Sequence, residues 1–130
     1  MENNKSILVV DDEAHIRRVI ELKLKNRGYR VMTASDGEEG FHIIEQQRPD
    51  AVITDIMMPK MDGKTLSERT NDMKNERPFL TIIMTCRISP DEHEWVNRMK
   101  DTILMEKPFS PSKLIASVDK YFGENQESAL

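Results

Sequence analysis

Short apolar runs and longer amphipathic stretches take turns along the chain. Residues 6–10 read SILVV and stop abruptly at Asp11-Asp12-Glu13, the pattern of a strand covered on both faces and followed by an acidic turn. Ile16, Val19, Ile20 and Leu24 then recur at three- and four-residue steps with Arg17, Arg18, Glu21, Lys23 and Lys25 between them, which predicts an amphipathic helix. Asp12 is placed to cap its amino end, and Gly28 to end it in a left-handed conformation. Residues 29–34 (YRVMTA) predict a second strand. Residues 38–47, with Phe41, Ile43 and Ile44 apolar, predict a second helix that Arg48-Pro49-Asp50 closes. The run Ala51-Val52-Ile53-Thr54 is β-branched without alternation and delivers Asp55, after which Pro59 and Gly63 break regular structure. Residues 64–75 predict a third helix whose apolar stripe, Leu66 and Met73, is the faintest in the chain. Pro78 introduces the strongest strand signal, residues 79–84 (FLTIIM), which delivers Thr85 and Cys86. Pro90 opens a fourth helix with Ser89 as its cap, Asp91, Glu92 and Glu94 favourably placed for the helix dipole, and Trp95, Val96 and Met99 apolar. Residues 102–105 predict a short fifth strand that Glu106-Lys107-Pro108 interrupts. The last helix begins near Pro111 and carries Leu114, Ile115, Val118, Tyr121 and Phe122 on one side before Gly123.

Strands alternating with helices in this way predict a doubly wound α/β domain, a five-stranded parallel sheet with five helices on its two faces. Parallel strands end along one edge, so Asp11 and Asp12, Asp55, Thr85 and Lys107 gather where open α/β sheets keep their chemistry. Two carboxylates about 4 Å apart repel by roughly 4 kcal/mol at an effective dielectric near 20, and a hard divalent cation relieves that repulsion. The edge therefore predicts a Mg²⁺ site at which Asp55 is a carboxylate nucleophile toward a phosphoryl group, with Lys107 balancing charge and Thr85 donating a hydrogen bond. Taken singly, Asp12 reads equally as a helix cap, Thr85 as a strand-end threonine and Lys107-Pro108 as a surface pair. Their joint placement at four strand ends is what points to chemistry.

Composition narrows the classes. A length of 130 residues suits one domain, and with 38% hydrophobic and 32% charged residues no run approaches the roughly 18 apolar residues of a membrane span. Residues 1–6 do not resemble a signal peptide, so the expectation is a cytoplasmic protein without membrane insertion. A net charge of −4 with scattered Lys and Arg predicts no phosphate-backbone footprint, hence no direct nucleic-acid binding. Cys86 has no second cysteine for a disulfide or thiolate metal site and reads as a small apolar filler beside the site. His15, His42 and His93 fall on separate predicted helices without ligand spacing and read as solvent-facing or structural. Trp95 reads equally as a core residue or as an exposed anchor for a partner.

The acidic pair Asp11-Asp12, the block Asp55-Ile56-Met57-Met58-Pro59-Lys60-Met61-Asp62-Gly63, Thr85 and the triplet Lys107-Pro108-Phe109 resemble the receiver domain of two-component response regulators, over residues 5–122. The resemblance implies a flavodoxin-like fold with strand order 2-1-3-4-5 and a receiver spanning residues 1–123, with residues 124–130 as a polar tail or the start of a linker. It implies that Asp55 accepts phosphate from a sensor histidine kinase or phosphotransfer protein, and that Asp11, Asp12, Asp55 and the Met57 backbone carbonyl hold Mg²⁺. Thr85 and Lys107 would bind the acyl phosphate, with Thr85 as a switch that changes binding of a downstream protein or output domain. Such a protein assists its own phosphorylation and autodephosphorylation but turns over no separate substrate.

Three departures from the family pattern bear on the switch. Leu104 replaces the aromatic usual three positions before the lysine, Cys86 the small residue after the threonine, and Lys100-Asp101 the Gly-Ala turn before the fifth strand. Leu104 and Cys86 keep open a degenerate receiver that binds a partner constitutively. An aspartyl-phosphate phosphohydrolase is disfavoured because Met57 stands where a second acid is usual, and a flavodoxin-like cofactor protein because Asp11-Asp12-Glu13 would repel a phosphate.

Overall fold

The computed structural model describes residues 5–107 and 110–128, with only the backbone beyond Gly123, so Pro108 and Phe109 of the triplet and the chain ends lie outside it. Strands and helices alternate as β1 (Ser6–Val10), α1 (Ala14–Asn26), β2 (Arg30–Ala34), α2 (Gly37–Gln47), β3 (Ala51–Asp55), α3 (Gly63–Asn71), β4 (Leu80–Thr85), α4 (Pro90–Asn97), β5 (Thr102–Glu106) and α5 (Pro111–Ser128). The strands pair in parallel in the order β2-β1-β3-β4-β5.

Alternation within each strand sorts the core onto two faces of the sheet. Ile7, Val9, Ile53, Ile82 and Met84 meet Ile20 and Leu24 of α1 and Leu114 and Val118 of α5. Leu8, Val10 and Val52 meet Ile44 of α2 and Leu66 of α3. Ile83 packs with Trp95 and Val96 of α4, and Leu104 and Met99 lie against them. Trp95 is therefore a core residue. Each of these buried aliphatic side chains contributes about 1.5–3 kcal/mol relative to exposure, which outweighs any local cap.

Local signals differ from their expectations at five places. The Asp12 side chain does not cap α1: the helix starts one residue later, with Glu13 as the cap residue and no side-chain bond, and the Glu13 N–H goes to the buried Asp11 carboxylate at 2.9 Å. Val19 is exposed together with Leu22, so the core stripe of α1 is narrower than its sequence period. Helix α3 starts at Gly63, stops at Asn71 and gives way to a 3₁₀ turn, Asp72–Asn75. Its stripe is faint because Ser67 and Thr70 are buried, each hydroxyl donating within its own helix, to the Gly63 carbonyl at 2.8 Å and the Leu66 carbonyl at 2.9 Å. Cys86 is exposed and fills no core space. Helix α5 continues through Gly123, where no neighbour interrupts it.

The turn before β5 places Asp101 at φ 45°, a left-handed conformation that costs an aspartate about 1 kcal/mol. Lys74 holds this turn. Its buried ammonium donates to the Lys100 carbonyl, to the Asp101 carbonyl at 3.3 Å and to Thr102 Oγ1 at 3.2 Å, and lies 4.8 Å from the Phe79 ring centroid. Burial pushes this lysine down from 10.5 to about 8, with the Asp101 charge opposing. Between those values the unfolded chain binds more protons than the folded one, so stability rises with pH across the window, by up to about 3 kcal/mol. Urea unfolding of Lys74→Met at about pH 8, 9 and 10 is expected to lack that rise; parallel curves for both proteins would mean that Lys74 titrates alike folded and unfolded.

Candidate functional site

The sheet register brings four strand ends together. Val10 lies beside Thr54, Asp55 beside Met84 and Thr85 beside Glu106, so the residues that follow β1 and β5 face those that end β3 and β4. Asp11 is fully buried, and Asp55 and Thr85 are buried. Lys107 leaves β5 with its N–H donating to the Thr85 carbonyl at 2.7 Å. Its ammonium then lies 3.0 Å from Asp55 Oδ2 and 3.9 Å from Asp11 Oδ2.

The cluster is electrostatically incomplete. Asp11, Asp12 and Asp55 each present a carboxylate oxygen within 4.8 Å of the other two, and Asp12 is exposed while its neighbours are not. Asp11 Oδ1 accepts from Glu13, but Asp11 Oδ2 is buried with no hydrogen-bond partner among the described residues. Burial raises the Asp11 carboxyl above its ordinary value, the Glu13 N–H and the Lys107 ammonium oppose this, and the Asp55 and Asp12 charges add to it. Burial also works against the Lys107 charge, yet the bond to Asp55 and the Asp55 and Asp11 charges hold that ammonium above its ordinary value. One ammonium among three carboxylates leaves room for a further cation, and a donor set made only of oxygens suits a hard divalent one.

Two backbone features fix Asp55. Thr54 Oγ1 donates to the Asp55 carbonyl at 2.9 Å, and Ile56 N–H donates to the Met84 carbonyl at 3.0 Å, extending β3 past its last residue. Gly63 packs directly beneath, its N–H donating to the Ile56 carbonyl at 2.8 Å. A Cβ on Gly63 would collide with the Asp55 carbonyl oxygen and lie 2.9 Å from Ile56 Cα, so close approach of two backbone segments accounts for the glycine. Met57, two residues after Asp55, is 75% exposed, so its side chain does not close the site.

Known proteins of one family share this fold. The family model described as the response regulator receiver domain matches residues 7–119. The chain belongs to the response regulator receiver family. As a receiver it is similar, at 36% identity over 115 residues, to the alkaline phosphatase synthesis transcriptional regulatory protein PhoP of Bacillus subtilis (strain 168), covering 88% of this chain and 47% of that protein. It is also 36% identical to the probable transcriptional regulator ycf27 of Guillardia theta over 130 residues, all of this chain and 50% of the other. The chain thus spans about half the length of these curated relatives. Among solved structures, a CheY-like response regulator receiver domain protein from Methanospirillum hungatei JF-1 superposes with a TM-score of 0.85 at 27% identity, covering 97% of this chain and 99% of that one. The receiver domain of Francisella response regulator 1452 gives 0.83 at 28%, covering 94% and 99%.

The structure brings Asp11, Asp12, Asp55 and Lys107 of this receiver together, but it turns the Thr85 hydroxyl elsewhere. That hydroxyl donates to the Arg87 carbonyl at 3.1 Å and lies 3.4 Å from Glu92 Oε2 on α4. Leu104 packs with Trp95, Val96 and Ile83, a space-filling place with no polar function. His15, His42 and His93 are exposed, as expected. Two residues near the site escape sequence reading. Arg17 reaches back from α1 to donate to the Asp11 carbonyl at 2.7 Å, and Glu92 completes a capping box with Ser89. The Ser-x-x-Glu spacing Ser89 to Glu92 signals the capping box, whereas nothing local signals the Arg17 contact.

Proposed function

We propose that this receiver accepts a phosphoryl group on Asp55 from a phosphohistidine of a sensor histidine kinase or phosphotransfer protein, in a Mg²⁺-dependent reaction, and that the modification alters binding of a downstream protein or output domain. The observation that carries the proposal is the buried Asp11 Oδ2 beside Asp55, without a hydrogen-bond partner among the described residues, a defect that a bound cation would remove. Asp11, Asp12, Asp55 and the Met57 carbonyl would hold the ion, which when bound neutralises carboxylate charge and polarises the phosphoryl oxygens.

The remaining chemistry belongs to the chain. A carboxylate oxygen of Asp55 bonds to phosphorus as the phosphorus–nitrogen bond of the donor imidazole breaks, leaving an acyl phosphate and the free histidine. Lys107, already paired with Asp55 Oδ2, stays charged at neutral pH and follows the negative charge onto the phosphoryl oxygens. Thr85, at the end of the next strand, supplies a hydroxyl donor once it leaves its present acceptors. Slow attack by water on the same acyl phosphate would return the free aspartate, so the protein acts as a phosphoacceptor with autodephosphorylation rather than as an enzyme with its own substrate.

We place the receiver in residues 1–123, with 124–130 as a tail or the start of a linker, and expect it to work in the cytoplasm without direct nucleic-acid contact. Among the described residues no helix is long and apolar enough to cross a membrane. Intact-mass spectrometry after incubation with acetyl phosphate tests the proposal. One phosphoryl adduct is expected that requires Mg²⁺ and is absent in Asp55→Asn. A folded wild-type protein that forms no adduct would favour a constitutive partner-binding role instead.

A further inference from the structure

Thr85 has one hydroxyl hydrogen, and two acceptors outside the carboxylate cluster compete for it: the Arg87 carbonyl at 3.1 Å and Glu92 Oε2 at 3.4 Å. Glu92 is itself anchored. Its Oε1 accepts from Ser89 N–H at 3.1 Å, and its own N–H donates to Ser89 Oγ at 3.2 Å, so one carboxylate closes the first turn of α4 and faces the threonine. Every part of this chain of contacts lies between the end of β4 and the start of α4.

Resting on the reading of Asp55 as the phosphoacceptor, we propose that Glu92 is a positioning residue that links the Thr85 hydroxyl to α4: it holds the hydroxyl on the α4 side before phosphorylation, and its release when Thr85 turns to the phosphoryl group transmits the event to the helix. One hydrogen cannot serve Glu92 and a phosphoryl oxygen at once. The two acceptors are therefore thermodynamic competitors, and the charge on Glu92 favours the resting arrangement. Helix α4 is suited to respond, because only Trp95 and Val96 anchor its eight residues in the core and its first turn depends on the box that Glu92 completes. On β5, Leu104 offers neither a ring nor a polar atom to follow the threonine and is packed against the cluster of Ile83, Trp95 and Val96. The polar link from Thr85 to α4 therefore runs through Glu92.

The test uses the whole chain with Mg²⁺ and beryllofluoride as the phosphoryl mimic, followed by amide NMR. In the wild type, saturation is expected to speed hydrogen exchange at Glu92 and His93, whose N–H groups donate to Ser89 Oγ and the Ser89 carbonyl. In Glu92→Gln the amide oxygen can keep the bond to Ser89 N–H while the NH₂ cannot accept from Thr85. The titration midpoint should fall about three- to tenfold, the scale of one ordinary hydrogen bond, because the 3.4 Å contact shares its hydrogen with the Arg87 carbonyl, and the change in exchange at His93 should shrink. Ser89→Ala loosens the same turn but leaves the carboxylate facing Thr85, so its midpoint should stay at the wild-type value. An unchanged midpoint in Glu92→Gln, or an equal fall in Ser89→Ala, overturns the coupling. A wild-type protein that binds no beryllofluoride overturns the reading of the site and the coupling with it.

Discussion

Gly63→Ala is expected to cost about 4 kcal/mol of folding stability, at the top of the range for single substitutions, and to lower the melting temperature by roughly 10–15 °C. The added methyl has nowhere to go, because the atoms it meets are the Asp55 carbonyl oxygen and Ile56 Cα, both backbone and both tied into the sheet edge. Gly40 is the useful contrast: there a Cβ would meet Val10 methyls at 3.0 and 3.3 Å, contacts that a shift of a few tenths of an ångström relieves, so Gly40→Ala should cost only about 1 kcal/mol. Gly123→Ala meets open space within a helix and should be neutral or gain up to about 1 kcal/mol. Calorimetry on the three variants checks the ranking. A Gly63→Ala protein no less stable than Gly40→Ala would mean that the β3–α3 loop shifts freely, and that Gly63 does not set the position of Asp55.

The contrast among these glycines shows where sequence reading stops. Gly63 reads as a breaker between Asp55 and the third helix, which is right about the loop and silent on the reason, since the clash partner lies eight residues back and arrives only through the fold. The strands were legible because a parallel sheet covered on both faces demands unbroken β-branched runs, and once their direction is known the strand ends place Asp11, Asp55, Thr85 and Lys107 together. Cap signals are local and hold at Ser89, whose hydroxyl accepts from the Glu92 N–H. They mislead at Asp12, because the chain turns at Asp11, whose buried carboxylate takes the Glu13 N–H, and the helix starts one residue later. Lys74 was invisible: a lysine in a polar segment looks solvated until the turn before β5 folds over it. In the sequence Glu92 is an acid near a helix dipole, and only the path of residues 86–89 brings its second oxygen to Thr85.

Asp11→Asn should make the Mg²⁺-free protein more stable and at the same time abolish most of its response to Mg²⁺. The wild-type carboxylate is buried, its Oδ2 lacks a hydrogen bond among the described residues, and Asp55 and Asp12 add like charge that Lys107 at 3.9 Å only partly offsets. An asparagine keeps an oxygen for the Glu13 N–H and turns a donor toward Asp55, replacing repulsion by a hydrogen bond. The gain is expected at roughly 1–3 kcal/mol, the scale of one unsatisfied buried polar group. The loss appears when Mg²⁺ is added: a cation that binds only the folded wild type stabilises it by about 2.7 kcal/mol at a hundredfold excess over its dissociation constant, and a site with one carboxylate fewer should forgo most of that. Thermal unfolding of both proteins with and without Mg²⁺ should therefore give melting curves whose order reverses as the ion is added. If Asp11→Asn is less stable than the wild type in both conditions, the attraction between the Asp11 charge and Lys107 outweighs its repulsion from Asp55 and Asp12, and the ion-free cluster carries no defect. If the order does reverse, the strand-end cluster is a site whose folded form carries a stability defect that its ion repairs, and stability is being spent on chemistry at the one edge of the sheet where four strands converge.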